Sequence, residues 1–268
     1  MNSDPPLSLF ITGASSGLGE ALVLAYAAPG IRMGLVARRG PLLKNVGGQA
    51  EKAGARVTLY EGDVTDKSKM EGIARDFLDH FSAPDLIFAN AGQGGGSGYA
   101  IERSLMDVNY FGVQNTILPF LPALQEKGSG QIAVISSLAA YRGLPGSGDY
   151  CASKAALKAY SDSLRLVLFP FGTTVTIVNP GYIRTEMTRD NPPMPFCWSA
   201  GKAAATIRRR LRHRPARIEF PFPMVVSVRL LALLPPRWGD YLIRWSRLRK
   251  ASKDRRDGEN LSGSQKRP

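Results

Sequence analysis

The run Leu7-Ser8-Leu9-Phe10-Ile11-Thr12-Gly13-Ala14-Ser15-Ser16-Gly17-Leu18-Gly19 sets a strand-like apolar segment directly against three glycines, and helical spacing begins at the second of them. A strand that turns sharply into a helix gathers backbone N–H groups at the positive end of the helix dipole, where a phosphate is held. Gly13 permits the tight turn, Gly17 lets the backbone approach a pyrophosphate, and Gly19 lets the helix lie close to the sheet. Ser15, Ser16 and Leu18 complete the same loop. A glycine-rich turn without a ligand has a similar composition; the position, between a first strand and a helix, favours a dinucleotide loop.

Outward from this loop, short apolar runs alternate with longer segments at helical spacing, and no internal repeat is present. Strands are expected at 7–12, 33–37, 56–60, 86–89, 131–136 and 174–178, with a shorter one at 217–220. Helices are expected at about 17–27, 41–53, 67–81, 101–125, 151–169 and 199–213. Strands apolar on nearly every residue suit a parallel sheet covered on both faces. The prediction is an α/β chain: a single-domain, Rossmann-type, doubly wound parallel sheet of about seven strands with helices on both faces and ligands beyond the carboxyl ends of the strands. That domain is expected over 1–250, with 221–250 an apolar and basic extension and 251–268 a disordered basic tail.

The 268 residues, 44% of them hydrophobic, suffice for a sizeable core. Cys151 and Cys197 are the only cysteines and His80 and His213 the only histidines; none has metal-ligand spacing, so reduced thiols and no metal are expected. Met1 to Pro6 carry neither a basic stretch nor an apolar run, so no signal or transit peptide is expected and the cytoplasm is the expected compartment. The net charge of +13 is uneven: residues 1–200 hold 17 basic and 17 acidic side chains, and residues 201–268 hold 18 against 5.

The glycine spacing is G-x-x-x-G-x-G, and Thr12 to Gly19 resemble the T-G-x-x-x-G-x-G of the short-chain dehydrogenase/reductase family. Asn90-Ala91-Gly92 after the fourth strand is similar to the family's N-A-G, and Asp63, followed by Val64, stands where the family contacts the adenine ring. Pro180-Gly181, with Ile183 and Thr185 beyond it, is similar to the family's P-G-x-x-x-T, whose Thr contacts the nicotinamide carboxamide. The resemblance implies a nicotinamide cofactor held by these residues. Its type turns on Val36-Ala37-Arg38-Arg39 at the end of the second strand, where a carboxylate would bind a ribose 2′-hydroxyl. None is there, and two guanidiniums can clamp a 2′-phosphate, which predicts NADP(H); the competing reading is a solvated basic pair.

Thirteen residues after Ser137 comes Tyr150-Cys151-Ala152-Ser153-Lys154, and Tyr and Lys four apart share a helix face. A phenol titrates near ~10, and each unit of lowering requires about 1.4 kcal/mol of phenolate stabilisation. The Lys154 ammonium supplies part of that, and the cationic nicotinamide of an oxidised cofactor more. Ser137 would hydrogen-bond the substrate oxygen. An isolated Y-x-x-x-K is an ordinary helix pair; Ser137 at the family's spacing and the glycine loop reverse that reading. Asn109 falls where the family has the Asn that holds a water linking Lys154 to solvent. Asn109, Ser137, Tyr150 and Lys154 are the expected catalytic set.

The C-terminal quarter departs from the family's commonest pattern and looks more like members with lipophilic substrates, such as the hydroxysteroid and retinol dehydrogenase branches. The run 224–234 is too short to span a bilayer, which takes ~20 apolar residues, and Arg229 interrupts it. Trp238, Tyr241, Leu242, Ile243 and Trp245 interleave with Arg237, Arg244, Arg247, Arg249 and Lys250, the composition of an interfacial helix at an anionic membrane surface. Such a protein would be peripheral at the inner face of a membrane. Packing on the domain or on a second subunit is the competing reading. Gly94 to Gly96 and Pro192, Pro193 and Pro195 flank the site on loops that can close over a substrate.

Together these features predict an NADP(H)-dependent oxidoreductase that interconverts a carbonyl and an alcohol on a small, lipophilic substrate, with Tyr150 as general acid and base. The resemblance further implies a homodimer through the helix at 151–169. The alternative on the same fold is a nucleotide-sensing regulatory or binding protein, which needs neither Tyr150 nor Lys154. A nucleic-acid partner is not expected, because the basic tail brings no accompanying motif.

Overall fold

The computed structural model describes residues 7–94, 103–189 and 194–244. Gly95, Gly96, Pro192, Pro193, Trp245, Arg247, Arg249, Lys250 and the stretch 251–268 lie outside the described residues. Residues 1–225 and 226–268 group as two units. The first carries strands β1 (Ser8–Thr12), β2 (Arg32–Ala37), β3 (Arg56–Glu61), β4 (Leu86–Ala89), β5 (Gly130–Ile135), β6 (Thr173–Pro180), β7 (Ile183–Arg184), β8 (Trp198–Ser199) and β9 (Arg217–Phe220). Its helices are α1 (Gly17–Tyr26), α2 (Gly40–Lys52), α3 (Lys67–Phe81), α4 (Arg103–Met106), α5 (Gly112–Ile117), α6 (Leu121–Lys127), α7 (Gly148–Leu168) and α8 (Ala200–Leu211).

Seven strands form one parallel sheet in the order β3-β2-β1-β4-β5-β6-β9. The order reverses at β1, which pairs with β2 on one side and β4 on the other, and the crevice at that reversal is where a doubly wound sheet takes its ligand. Alternation along β1 sets its register. Leu9 and Ile11 enter the core beneath α1, α2 and α8, while Phe10 points to the opposite face and meets the rings of Phe77 and Phe120 at 5.3 and 4.7 Å. Each such buried aromatic contributes roughly 1.5–3 kcal/mol, and a slip of one residue would send it to the wrong side. β1 therefore delivers Thr12 and Gly13 to one fixed place at the sheet's end.

Three expectations need correction. β3 is an edge strand with Arg56, Leu59 and Glu61 exposed, so burial on both faces does not extend to it. The single helix expected at 101–125 is broken: a π-helical stretch, Asp107–Phe111, separates α4 from α5, and a 3-10 turn, Leu118–Phe120, separates α5 from α6. Pro119 and Pro122 remove the amide donors that a continuous helix would need. A short parallel pair, β7 with β8, was not anticipated; it binds the segment after β6 to the start of α8.

Helix α9 (Phe222–Leu233) follows β9, and a further helix runs over 236–244. Among the described residues no helix is long and apolar enough to cross a membrane.

Candidate active site

The glycine turn is held in shape by its neighbours across the sheet. The Thr12 hydroxyl accepts from the backbone N–H groups of Asn90 (3.2 Å) and Ala91 (3.3 Å) and donates to the Phe88 carbonyl. In return the Asn90 amide donates to the carbonyls of Thr12 (3.0 Å) and Gly13 (3.3 Å). Gly13 takes a φ of +66°, and a Cβ there would lie 2.8 Å from the Ala91 Cα; one on Gly19 would lie 2.0 Å from the Gly13 carbonyl oxygen. The turn thus excludes side chains at both positions and leaves its concave backbone to a ligand. The side chain of Ser16, the residue that caps α1, makes no bond to the helix; its hydroxyl accepts from Arg39 instead. Ser15 and Leu18 are buried beneath the turn.

Of the other residues expected at a cofactor, Arg38 and Asp63 line one cleft. Arg38 pairs with Asp63 (3.4 Å) and Arg39 with Glu186 (2.7 Å). Burial pushes the Asp63 carboxyl up, but the N–H and hydroxyl of Thr65 and the Arg38 guanidinium outweigh it and hold the group below its usual range. Val64 packs against the bare Cα of Gly112, and its carbonyl accepts from Asn115 (2.9 Å). Arg38, Asp63, Gln93, Ser104, Asp107 and Phe111 line a cleft of about 420 Å³ beside them. At the opposite end Pro180 closes β6, and the Gly181 N–H donates to the Phe220 carbonyl (2.7 Å). Ile183 is buried in β7, and Thr185 caps the turn Glu186–Thr188 with its methyl 3.1 Å from where a Gly17 Cβ would stand. Thr185 therefore stands against the start of α1.

The expected catalytic set comes together on β5, α7 and the π-helical stretch. Ser137, whose hydroxyl accepts from the Ala139 N–H (3.1 Å), stands near enough to the Tyr150 phenol to favour its charged form. Lys154, one helical turn on, is 5% exposed; its ammonium lies 5.8 Å from the centre of the Tyr150 ring and donates to the Ile135 carbonyl (3.2 Å). Ser136 straps the two elements by donating to the Lys154 carbonyl (3.0 Å). Asn109 is fully buried: its oxygen accepts from the Gln93 N–H (2.8 Å), and its amide donates to the Gln93 carbonyl (3.0 Å) and the Ser153 hydroxyl (3.1 Å). A Cβ on Gly92 would stand 3.1 Å from the Asn109 oxygen and 3.5 Å from the Lys154 nitrogen, so Asn109 and Lys154 share one small space.

Electrostatics at this point differ from expectation. Burial pushes the Tyr150 phenol above its ordinary pKa, opposed by the neighbouring Ser137 hydroxyl, and it pushes Lys154 down to about 8. The expected lowering of the phenol by Lys154 is not among the causes of its shift: the ammonium lies over the ring, and desolvation acts on both groups in the direction that removes charge. A cation brought into the crevice would reverse that balance for the phenol.

Sequence reasoning missed Gln93, Ser153 and Glu186. Ser153 lies inside the quoted Tyr-to-Lys motif, but its bond to Asn109 joins residues 44 apart; Gln93 contributes backbone, and Glu186 is one acidic residue in a polar turn. No local pattern marks any of them.

A family model described as short chain dehydrogenase matches residues 8–195, and the chain belongs to that family. An uncharacterized oxidoreductase of Myxococcus xanthus is 35% identical over 231 residues, which cover 84% of this chain and 91% of that protein. The 11-beta-hydroxysteroid dehydrogenase 1A of Arabidopsis thaliana is 36% identical over 188 residues, 68% of this chain and 53% of its own length. Among solved structures, a short chain dehydrogenase from Burkholderia cenocepacia in complex with NADP superposes with a TM-score of 0.74 at 28% identity, over 85% of this chain and 93% of that one. The protein is thus an oxidoreductase of the short-chain dehydrogenase family.

Proposed function

We propose that this oxidoreductase uses NADP(H) to interconvert a carbonyl and an alcohol on a lipophilic substrate, with Tyr150 as its general acid and base. The observation that carries the reading is Tyr150 with Ser137 beside its phenol, one helical turn from a buried Lys154 that shares a small space with Asn109. When bound, the cofactor supplies or accepts the hydride. Ser137 fixes the substrate oxygen, and Tyr150 gives that oxygen a proton in reduction or takes it in oxidation. Lys154 helps the phenol release its proton, and Asn109 positions the loop beside Lys154 and holds a water that leads to solvent. Arg38 and Arg39 at the end of β2, with no carboxylate in β2 itself, support the 2′-phosphorylated cofactor.

The rim supports an apolar substrate: Leu144, Tyr182, Met187 and Phe196 expose large side chains, and the Arabidopsis relative carries a steroid dehydrogenase's name. The second unit supports attachment to an anionic lipid surface, since Leu230, Leu233, Trp238, Tyr241 and Leu242 are exposed among arginines. The exposed Leu166 and Val167 of α7, with Phe169 just past its end, support a homodimer. The deciding experiment presents ketones, aldehydes and alcohols of graded chain length with NADPH or NADP+. Activity that rises with chain length is expected; no turnover of any carbonyl or alcohol would overturn the reading.

A further inference from the structure

Arg39 is anchored by two partners that face each other across the mouth of the glycine turn. Its guanidinium donates to the Ser16 hydroxyl (2.5 Å) at the start of α1 and to the Glu186 carboxylate (2.7 Å) on the turn after β7. The carboxylate is half exposed, and the bond to Arg39 together with the charge of that side chain holds its pKa below the ordinary range. The turn that carries it is rigid: Thr185 and Thr188 cap it reciprocally, and the Thr188 hydroxyl donates to the Ile183 carbonyl (2.7 Å). Glu186 is therefore held where it meets Arg39 and does not reach it by chance rotation of a long loop.

Resting on the assignment of Arg39 to a 2′-phosphate, we propose that Glu186 is a specificity-determining residue, occupying in the cofactor-free protein the guanidinium edge that a ribose 2′-phosphate would take. Both groups are oxygen anions that bind a guanidinium edge through charge-assisted hydrogen bonds, and one edge cannot serve both. NADPH has to exchange its phosphate for the carboxylate and then lie beside the displaced negative charge. NADH makes no claim on that edge and leaves the pair in place. Glu186 thus weakens NADPH selectively and keeps the preference between the two cofactors moderate.

The test is equilibrium binding, by cofactor fluorescence for NADPH and NADH and by calorimetry for 2′,5′-ADP, a 2′-phosphorylated nucleotide with no nicotinamide. Glu186→Gln should tighten NADPH and 2′,5′-ADP about two- to five-fold, the scale of an exposed ion pair, and leave NADH unchanged. Glu71→Gln, which removes a carboxylate paired with Lys67 on α3, controls for net charge and should change nothing. In an Arg39→Ala background NADPH should weaken at least about tenfold and Glu186→Gln should then have no effect. Equal tightening of NADH, or none for NADPH, would overturn the role of Glu186 while Arg39→Ala still reports on the phosphate clamp. An unchanged NADPH preference in Arg39→Ala would remove the clamp and this inference together.

Discussion

Tyr150 is partly buried and Lys154 almost fully, and the cost is readable in how each titrates. Tyr150→Phe removes only the phenolic hydroxyl; turnover should fall by at least about 10²-fold with cofactor affinity nearly intact, because a general acid acts in the chemical step. More than about a tenth of wild-type turnover would mean that another group moves the proton. Ser137→Ala should let the phenol titrate still higher, measured as tyrosinate absorbance. Lys154 makes a prediction of opposite sign for stability. Its folded pKa of about 8 lies below the ordinary 10.5, so the folded state holds the proton less tightly than the unfolded chain, and stability rises with pH between those two values. Lys154→Met should therefore be at least as stable as wild type at pH 7, by up to about 2 kcal/mol, despite losing its bond to the Ile135 carbonyl. The advantage should shrink toward pH 10 in urea melts. A methionine variant less stable than wild type at pH 7 would show that the ammonium's bonds outweigh its burial.

At the scale of elements, β1, its glycine turn and α7 could be read from the chain because each is specified locally: an apolar run, three glycines, a Tyr and a Lys one turn apart. The π-helical stretch could not. Nothing near Asn109 predicts that its side chain will bond the backbone of Gln93 and the hydroxyl of Ser153, because those partners arrive from the far side of β4 and from α7. Family likeness alone puts Asn109 among the expected catalytic residues, and the helical pattern over 101–125 hides the break in the helix that presents it. Pro119 and Pro122 stand at the lower half of that break, inside the stretch expected as one helix. Glu186 was illegible for a similar reason, since its partner is 147 residues away. Asn109→Ala should cost about 2–4 kcal/mol by orphaning buried groups on Gln93 and Ser153, with a lower urea midpoint and impaired turnover at saturating cofactor. A stability loss below about 1 kcal/mol would mean that the strand loop and α7 are joined by other means.

The molecule as a whole divides its charge sharply, with balanced residues up to 200 and the whole excess of +13 beyond them. Each Lys or Arg near an anionic lipid surface contributes about 1 kcal/mol, and the exposed Trp238 and Leu233 add apolar burial. The protein should sediment with anionic liposomes and release with salt, and neutralising Arg237, Arg244, Arg247, Arg249 and Lys250 together should abolish sedimentation while leaving the apolar residues untouched. If the neutralised protein sediments as wild type does, or if wild type stays in the supernatant, the segment serves the fold or a second subunit.

The clasp of Thr12 and Asn90 around the glycine turn has a kinetic side. A turn already wound by its own hydrogen bonds has little ordering left to do when a dinucleotide arrives, so encounter is limited by diffusion and by the opening of one exposed ion pair. Affinity is then written almost entirely in departure. The two nicotinamide cofactors should enter at similar rates and differ in residence time, and whichever leaves more slowly sets the pace at which the emptied crevice can be refilled.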